Sequence, residues 1–175
     1  IGKTLVLRLL EEGHSVVVLS RRPELFKNLA TGGFKAYFWD GRTAGLWTEE
    51  LAGADAVINL AGESIAQRWS QEKKRLIKAS RIDATSAIVE ALIGTSRQTR
   101  PKVLINASAV GYYGDVPKGE VTEASAKGKG FLADVCADWE AEAQRAEGYD
   151  VRVVLLRFGV VLEKGGGALQ KFLLP

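Results

Sequence analysis

The stretch that decides the fold is Gly13-His14-Ser15-Val16-Val17-Val18-Leu19-Ser20-Arg21-Arg22-Pro23. Its middle, Val16 to Leu19, is an apolar and mostly β-branched run without alternation, which is typical of a strand covered on both faces. The glycine before the run predicts the end of a helix, and two arginines follow where the strand ends. Ligands of a parallel α/β sheet bind at the carboxyl ends of its strands, so we expect Ser20, Arg21 and Arg22 at the ligand-facing edge.

The two arginines indicate which ligand this edge would take. In a dinucleotide-binding fold, an acidic residue near this position would hold the ribose 2′-hydroxyl group. Two guanidinium groups would instead suit a 2′-phosphate, because arginine offers charged donors in a fork. The pair therefore favours NADP over NAD as the cofactor. A pair of solvated arginines ahead of a loop is the alternative interpretation, and this segment alone leaves both open.

The composition limits the classes to which the chain can belong. It has 175 residues, of which 46% are hydrophobic, so it forms one domain or a large piece of one. The 24 lysines and arginines against 21 acidic residues leave a charge of +3, which is too small to indicate a nucleic-acid or membrane partner. A small-molecule substrate of unknown identity is the expected partner, and no metal site is predicted.

The cysteine content and the N-terminus bear on the cellular location. The single cysteine, Cys136, excludes an internal disulfide and fits a reducing compartment, so we expect a cytoplasmic protein. The chain contains no methionine and begins at Ile1 inside a helical pattern, so its N-terminus looks truncated and organellar targeting stays open. No run of about 18 apolar residues is present.

Strand and helix patterns alternate along the chain. Apolar runs predict strands over residues 16–19, 34–39, 56–60, 102–107 and 151–158. Helices are predicted over 2–12, 23–30, 70–93 and 132–146, with a helical turn over 48–51. The alternation predicts an α/β fold with a doubly wound parallel sheet in a single domain. A Gly- and Pro-marked loop over 111–130 is long enough to be functional.

Gly2 opens the first predicted helix. In the fingerprint G-x-x-G-x-x-G, the last glycine lets this helix pack closely on its strand, and the earlier ones let the backbone approach the pyrophosphate. Only the last glycine can be present here, and its separation from Ser20, Arg21 and Arg22 matches the expected gap of about 20 residues. We therefore expect the first strand of the sheet, with its glycine-rich turn, to precede Ile1.

A set of short motifs along the chain carries a more specific signal. The motifs are Ile1-Gly2, Leu19 to Pro23, Asn59 to Ile65, Arg81 to Thr85, Ala107 to Gly114, Trp139-Glu140 and Arg157 to Leu162. In this order they resemble an atypical member of the extended short-chain dehydrogenase/reductase superfamily. The closest likeness is to its epimerase-like subgroup with the SDR39U1-type and YfcH-type proteins, of the NAD-dependent epimerase/dehydratase family. The resemblance implies a partial NAD(P)-binding Rossmann domain over residues 1–175, without its first strand and its C-terminal substrate domain.

The resemblance also implies roles for individual residues. The residues expected to bind the cofactor are Gly2, Ser20, Arg21, Arg22, Asp40, Leu60, Ala61, Gly62 and Gly159. Among them, the two arginines would hold the 2′-phosphate, Asp40 would face the adenine, and Gly159 would lie near the nicotinamide. Ser108, expected at the end of its strand, matches the place of a substrate-binding hydroxyl. A tight turn is the alternative for Asn59, Ala61 and Gly62, and a turn-capping hydroxyl is the alternative for Ser108, while the role of Asp40 is left open.

One departure from the superfamily concerns the acid of hydride transfer. Members with this activity carry Tyr-x-x-x-Lys, in which the lysine lowers the pKa of the tyrosine from about 10 towards neutrality. None of the four tyrosines here has a lysine four residues further on, and the corresponding helix begins Phe131 to Cys136 without a tyrosine. Ser108 and Tyr113 are therefore the candidate catalytic residues. The next candidates are Glu63, Arg68 and Tyr112.

Two functions remain open at this point. The first is an NADP-binding, epimerase- or reductase-like enzyme that uses a substituted acid. The second is a catalytically degenerate dinucleotide-binding sensor or regulatory protein of the cell-division type. The missing Tyr-x-x-x-Lys pair favours the second, whereas the retained Ser108, Tyr112 and Tyr113 favour the first. A flavodoxin-like protein would explain neither the paired arginines nor the ordered motifs.

Overall fold

Parallel strands and the helices that connect them form the framework of the chain. The computed structural model describes residues 1–29, 32–163, 166–167 and 169. The helices are α1 (Gly2–Glu11), α2 (Gln71–Gly94) and α3 (Phe131–Gln144). The strands are β1 (Val16–Ser20), β2 (Phe34–Phe38), β3 (Ala56–Asn59), β4 (Val103–Ala109), β5 (Arg152–Phe158), β6 (Leu162–Glu163) and β7 (Gly166–Gly167). Short 3-10 helices lie at Pro23–Leu29, Leu46–Leu51, Val110–Tyr113 and Arg145–Tyr149.

The strands form two separate parallel sheets and one small antiparallel pair. β1 pairs with β2, β3 pairs with β4, and β4 pairs with β5, each pair running parallel. β6 and β7 form the antiparallel pair. The orders β2-β1 and β3-β4-β5 are those of a doubly wound sheet in the order 3-2-1-4-5-6, with its first strand left out. Among the described residues, β1 and β3 each have a single neighbouring strand.

The predicted elements are confirmed, with changes at several boundaries. The predicted helix at 23–30 is a 3-10 helix at Pro23–Leu29, because Pro23 opens a segment too short for a stable α-helix; residue 30 lies outside the described part. The strand predicted to end at residue 107 runs on to Ala109, since its ladder with β5 continues to Phe158. Ser108 therefore lies one residue before the end of β4, close to the predicted place at the strand end.

Helix α2 shows how the local sequence sets an element and its buried face. The Ser70 hydroxyl oxygen accepts a hydrogen bond from the Lys73 amide at 3.2 Å, which caps the first turn of the helix. The second half of the helix buries Ala84, Thr85, Ala87, Ile88, Val89 and Leu92. Their helical spacing gives one continuous apolar face, which packs against α3.

The hydrophobic core lies between α2, α3 and the three-stranded sheet. Its members are Trp39, Trp47, Leu51, Ala84, Ala87, Ile88, Val89, Leu92, Leu104, Ala143, Ala146 and Val151. The rings of Trp39 and Trp47 meet edge to face at 5.4 Å, and both indole N–H groups donate to the Thr43 carbonyl. The segment after β2 therefore joins the two-stranded sheet to the main core.

The N-terminal part, from α1 to β2, is much less buried than the three-stranded sheet. No residue of α1, β1 or β2 is buried, and Val17 of β1 remains 39% exposed. Strands of parallel sheets are ordinarily buried on both faces, so this exposure is unusual for such a run. Among the described residues, no helix is long and apolar enough to cross a membrane.

Candidate functional site

The N-terminus of α1 meets the carboxyl end of β3. A Cβ on Gly2 would lie 3.8 Å from the Leu60 side chain, an ordinary contact distance. Leu60 follows β3 directly, so two of the residues predicted to bind the cofactor lie together although 58 positions separate them in the chain. A helix N-terminus offers backbone N–H groups to a phosphate, which suits this edge to a dinucleotide.

β1 ends at Ser20, and Arg21 and Arg22 follow it directly, as predicted. The Ser20 hydroxyl oxygen accepts a hydrogen bond from the Arg22 amide at 3.0 Å, so it fixes the backbone immediately after the strand. Both arginine side chains are exposed. Neither guanidinium group forms an ion pair with an acidic residue of the described chain, so both remain available to an external anion.

Asp40 has a local role in the turn after β2. Its carboxylate accepts hydrogen bonds from the amides of Thr43 at 2.9 Å and Arg42 at 2.8 Å, and from the Thr43 hydroxyl at 2.9 Å. These bonds lower the pKa of Asp40 because they stabilise the charged form. Asp40 thus caps the turn after β2, a role that the sequence analysis did not assign to it, and a contact with adenine stays a prediction.

Hydrogen bonds of the Asn59 side chain hold the backbone of residues 60–62 in place. This buried amide donates to Thr85 Oγ1 at 2.9 Å and to Asn106 Oδ1 at 2.7 Å. Its own oxygen accepts from the Ala61 amide at 3.1 Å, which turns the chain at the end of β3. Trp139 Nε1 also donates to Thr85 Oγ1, at 2.8 Å. The backbone of residues 60–62, predicted to bind the cofactor, is therefore held by a buried polar network.

Gly62 and Arg81 are in close contact at the same edge. Gly62 is exposed, and a Cβ on it would lie 3.1 Å from Arg81 Cζ, tighter than a side chain there would ordinarily accept. Arg81 is half-buried and donates to the carbonyl oxygens of Ile77 and Glu63. Burial lowers the pKa of Arg81, since desolvation penalises its charge.

Ser108 and Tyr113, the candidate catalytic residues, converge on one ion pair. Ser108 is 3% exposed and donates its hydroxyl proton to Glu140 Oε1 at 2.5 Å. Tyr113 is 8% exposed, and its hydroxyl oxygen accepts from Arg157 at 2.9 Å. The structure thus brings the two residues to a common site, where both are engaged with buried charges.

The ion pair itself joins α3 to β5. Arg157 donates from Nε to Oε1 of Glu140 and from a terminal nitrogen to Oε2, both at 2.8 Å. These hydrogen bonds raise the pKa of Arg157. Its guanidinium carbon also lies 3.6 Å from the centre of the Tyr112 ring. A forked contact of this kind, largely withdrawn from water, holds both side chains in one orientation.

The loop over 111–130 is tied to this pair and closes upon itself. Arg157 donates to the Glu123 carbonyl at 3.1 Å, and the Gly128 amide donates to the Tyr112 carbonyl at 2.9 Å. A Cβ on Gly128 would lie 2.0 Å from the Tyr113 carbonyl oxygen, so only glycine fits this crossing. The loop is therefore held in place by its hydrogen bond with Arg157 and by contacts between its own residues.

The remaining candidates are more dispersed. Cys136 is buried, and burial raises the pKa of its thiol, which supports a packing role. Gly159 is exposed just beyond β5, with no neighbour within 4 Å of an added Cβ. Arg68 is exposed, and the backbone carbonyl oxygen of Glu63 accepts a hydrogen bond from Arg81. No cluster of potential metal ligands occurs in the described part of the chain.

Sequence reasoning assigned no role to Glu140, Arg157 or Arg81. A signal was available for the first two, because Arg157 interrupts the apolar run of β5 and Glu140 lies on the packed face of α3. A charge in such a place requires a buried partner. Arg81 gave no comparable signal, since its place beside Gly62 depends on how α2 returns along the sheet.

Chemically, the site combines two kinds of surface. Exposed cations and glycine backbone at the ends of β1 and β3 can bind a phosphate-bearing ligand, whereas the hydroxyls of Ser108 and Tyr113 are held within a charged buried network. The printed sequence contains no Tyr-x-x-x-Lys motif.

Comparison with known proteins gives the site a family context. The model of the NAD dependent epimerase/dehydratase family matches residues 1–167. The epimerase family protein SDR39U1 homolog, chloroplastic, of Arabidopsis thaliana is 44% identical over 97% of this chain and 48% of its own length. Epimerase family protein Mb2239 of Mycobacterium bovis is 38% identical over 98% of this chain and 54% of its own length. The chain thus spans about half the length of these curated relatives.

A solved structure supports the same assignment. The human epimerase family protein SDR39U1 (isoform 2), crystallised with NADPH, is 31% identical over 98% of this chain and 54% of its own, with a TM-score of 0.78. A UDP-glucuronic acid 4-epimerase from Bacillus cereus in complex with NAD, 19% identical with a TM-score of 0.72, shares the fold. The chain belongs to the NAD dependent epimerase/dehydratase family.

Proposed function

We propose that this chain is the NADP-binding part of an epimerase- or reductase-like protein of the extended short-chain dehydrogenase/reductase type. The observation that carries the proposal is the pair Arg21 and Arg22, exposed at the carboxyl end of β1 without an acidic partner in the described chain. Guanidinium groups so placed suit the 2′-phosphate that distinguishes NADP from NAD. The NADPH in the crystal structure of the human relative supports this choice of cofactor.

The residues present fit such a cofactor. At the carboxyl edge of the sheet, Gly2 lies against Leu60 and Gly62 is exposed. A dinucleotide must approach the backbone closely at this edge, and glycines leave room for it. The residues that would hold it are Gly2, Ser20, Arg21, Arg22, Asp40, Leu60, Ala61, Gly62 and Gly159. The bound nicotinamide would supply or accept a hydride.

The cofactor preference is tested by titrating the chain with NADPH and NADH. A hydrogen bond to a charged group contributes about 1.5–3 kcal/mol, so NADPH should bind on the order of ten- to a hundredfold more tightly. Replacing Arg21 and Arg22 by serine should remove the difference, whereas the exposed control Arg97→Ser should keep it. Equal titration curves for the two cofactors in the unmodified chain would refute the proposal.

For the chemistry, we propose that Ser108 and Tyr113 replace the missing Tyr-x-x-x-Lys pair. Ser108 binds Glu140 and Tyr113 binds Arg157, and these two residues form one ion pair. The ion pair can therefore orient both hydroxyls, which supports a shared role. Ser108→Ala or Tyr113→Phe should then lower turnover while leaving the NADPH affinity nearly unchanged. The exposed Tyr149→Phe is the control.

A dinucleotide sensor or regulatory protein without turnover is the second candidate. The observation that favours it is the burial of both hydroxyls: Ser108 is 3% and Tyr113 is 8% exposed, and Ser108 gives its proton to Glu140. Groups engaged in this way have little access to a substrate. NADPH binding without turnover on a broad panel of carbonyl and nucleotide-sugar substrates would favour the sensor.

A further inference from the structure

Two adjacent tyrosines, Tyr112 and Tyr113, follow β4 at the carboxyl edge of the three-stranded sheet. Tyr113 is 8% exposed, and its hydroxyl oxygen accepts the hydrogen bond from Arg157. Tyr112 is half-buried, and its hydroxyl has no hydrogen-bond partner in the part of the chain that the structure describes. No buried side-chain oxygen of the described residues lacks a partner, so the Tyr112 hydroxyl reaches solvent.

The Tyr112 ring is held in place although its hydroxyl is free. The guanidinium carbon of Arg157 lies 3.6 Å from the ring centre, and the Tyr113 ring meets the Tyr112 ring edge to face at 5.5 Å. The Tyr112 carbonyl oxygen accepts a hydrogen bond from the Gly128 amide at 2.9 Å, which also fixes the backbone. Both oxygens of Glu140 bind Arg157 in turn. The free hydroxyl therefore has a defined position, which a general acid requires.

This position lies at the edge where the proposed cofactor would present its nicotinamide. β4 and β5 end together at the pair of Ala109 with Phe158. Gly159, which is predicted to lie near the nicotinamide, is the first residue after β5, and the 3-10 helix that carries Tyr112 begins directly after β4. Ligands of parallel sheets bind beyond the carboxyl ends of the strands, so we expect a substrate beside the nicotinamide to lie near Tyr112.

We propose that the Tyr112 hydroxyl donates a proton to the carbonyl oxygen of a ketone or aldehyde substrate, in place of the tyrosine of Tyr-x-x-x-Lys. The inference rests on the proposed function for the reaction, and it adds a hydroxyl that a substrate can reach. The substrate carbonyl is reduced: its carbon gains the hydride that the proposed cofactor supplies, its π-electron pair moves to oxygen, and that oxygen takes the Tyr112 proton. Water then returns a proton to the phenolate.

The ion pair of Glu140 with Arg157 connects Tyr112 with the two buried hydroxyls. Arg157 carries a permanent charge beside the Tyr112 ring, so it stabilises the negative charge that develops on the phenol oxygen as the proton leaves. Ser108 and Tyr113 bind the two members of the ion pair and thus act as positioning residues for Tyr112. The burial of their hydroxyls is then compatible with turnover, because a third hydroxyl meets the substrate.

Tyr149 is the matched control within the same chain. It is 44% exposed, its hydroxyl has no hydrogen-bond partner among the described residues, and the guanidinium carbon of Arg100 lies 5.8 Å from its ring centre. It precedes β5, however, and therefore lies at the opposite, amino edge of the sheet. If Tyr112 were only an accessible tyrosine beside an arginine, the two residues would respond alike to a bound cofactor.

The first measurement is the acetylation of tyrosine hydroxyls by N-acetylimidazole, followed by mass spectrometry of the peptides. Fragment ions and the variants Tyr112→Phe and Tyr113→Phe separate the two neighbouring residues. Without cofactor, Tyr112 and Tyr149 should react, whereas the buried Tyr113 should not. Saturating NADPH, with its binding followed in the same samples, should slow the acetylation of Tyr112 several-fold and leave that of Tyr149 unchanged.

The second measurement is turnover with NADPH on a panel of ketones, aldehydes and keto sugars. Tyr112→Phe should lower turnover by about 10²- to 10⁴-fold, the usual contribution of a general acid, while the NADPH affinity stays nearly unchanged. Tyr149→Phe should keep the turnover of the unmodified chain.

The outcomes separate this inference from the proposed cofactor preference. A Tyr112 that reacts as slowly as Tyr113, or that bound NADPH does not protect, overturns the inference even if NADPH binds more tightly than NADH. Full turnover in Tyr112→Phe, or no turnover of the unmodified chain on the whole panel, overturns it as well. Equal binding of NADPH and NADH, with protection of Tyr112 by both and loss of turnover in Tyr112→Phe, would uphold the inference and refute the cofactor preference.

Discussion

The two parallel sheets of this chain differ in how they are stabilised. The three-stranded sheet has an interior strand, β4, that buries Leu104, Asn106, Ala107 and Ser108. The two-stranded sheet buries no residue of either strand, and Phe38 at the end of β2 is 67% exposed. The region that ends in Arg21 and Arg22 is thus the one with the least burial of its own.

The ion pairs of the two halves differ in burial in the same way. In the three-stranded half, Glu140 pairs with Arg157 at side-chain exposures of 7% and 17%. In the two-stranded half, Glu50 binds Lys35 and Tyr37 near the surface. Interactions withdrawn from water cost much when one partner is removed, whereas exposed pairs contribute little. We therefore expect the larger contribution to stability from the three-stranded half, whereas the arginines proposed to select the cofactor lie in the two-stranded half.

The largest expected effect comes from breaking the buried pair. Arg157→Met should destabilise the chain by about 3–5 kcal/mol, because it leaves the Glu140 carboxylate buried and unpaired. Urea unfolding measures the change. Arg97→Met, at a pair where the arginine is 75% exposed, is the control and should stay within about 0.5 kcal/mol.

A double variant identifies the cause of that loss. Arg157→Met with Glu140→Gln removes the buried charge and keeps an acceptor for Ser108, so much of the stability should return. If the double variant is as unstable as Arg157→Met alone, the unpaired carboxylate is not the source of the effect.

An intermediate effect is expected at the buried network below β3. Thr85→Val nearly preserves shape but removes the acceptor of both Asn59 Nδ2 and Trp139 Nε1. Donors left unsatisfied in the core cost about 1–3 kcal/mol, so the urea midpoint should fall accordingly. Thr99→Val, at an exposed threonine, should leave the midpoint unchanged. Equal midpoints for the two variants would show that the network does not stabilise the fold.

The smallest effect is expected at the surface of the two-stranded half, and it depends on pH. Hydrogen bonds from Tyr37 and Lys35 lower the pKa of Glu50 in the folded chain. A carboxyl with a lowered folded pKa contributes stability above its unfolded pKa, about 4.3, and loses it as the pH falls through the folded value.

Glu50→Gln should accordingly be slightly less stable than the unmodified chain at pH 7, by less than Thr85→Val. The difference should vanish below the folded pKa of Glu50. Urea midpoints between pH 7 and pH 3 provide the measurement, with the exposed Glu49→Gln as control. A gap between Glu50→Gln and the unmodified chain that stays constant down to pH 3 would contradict this assignment.

Much of the fold could be predicted from local patterns. The run from Val16, the Ser70 cap and the apolar spacing of α3 each depend on neighbouring residues, and the structure has all three elements. The end of β4 could not be predicted, because its ladder continues only where β5 still provides a partner. Only the predicted end of the strand moved, by two residues, and Ser108 still lies next to it.

The candidate site was predictable only in part. Arg21 and Arg22 follow a strand, so their place at its carboxyl end comes directly from sequence order. The ion pair of Glu140 with Arg157 joins residues 17 positions apart on different elements, and the contact of Gly62 with Arg81 depends on the packing of α2. Contacts of this kind arise from tertiary packing and leave no periodic pattern.

Amide hydrogen exchange, measured with and without cofactor, tests the division between the two halves most directly. Without ligand, the amides of β4 should be far better protected than those of β1, which lacks buried residues. NADPH should raise the protection of α1 and β1 more than NADH does at equal concentration, while β4 changes little. Equal protection of β1 and β4 in the free chain, or equal effects of the two cofactors on β1, would contradict the account.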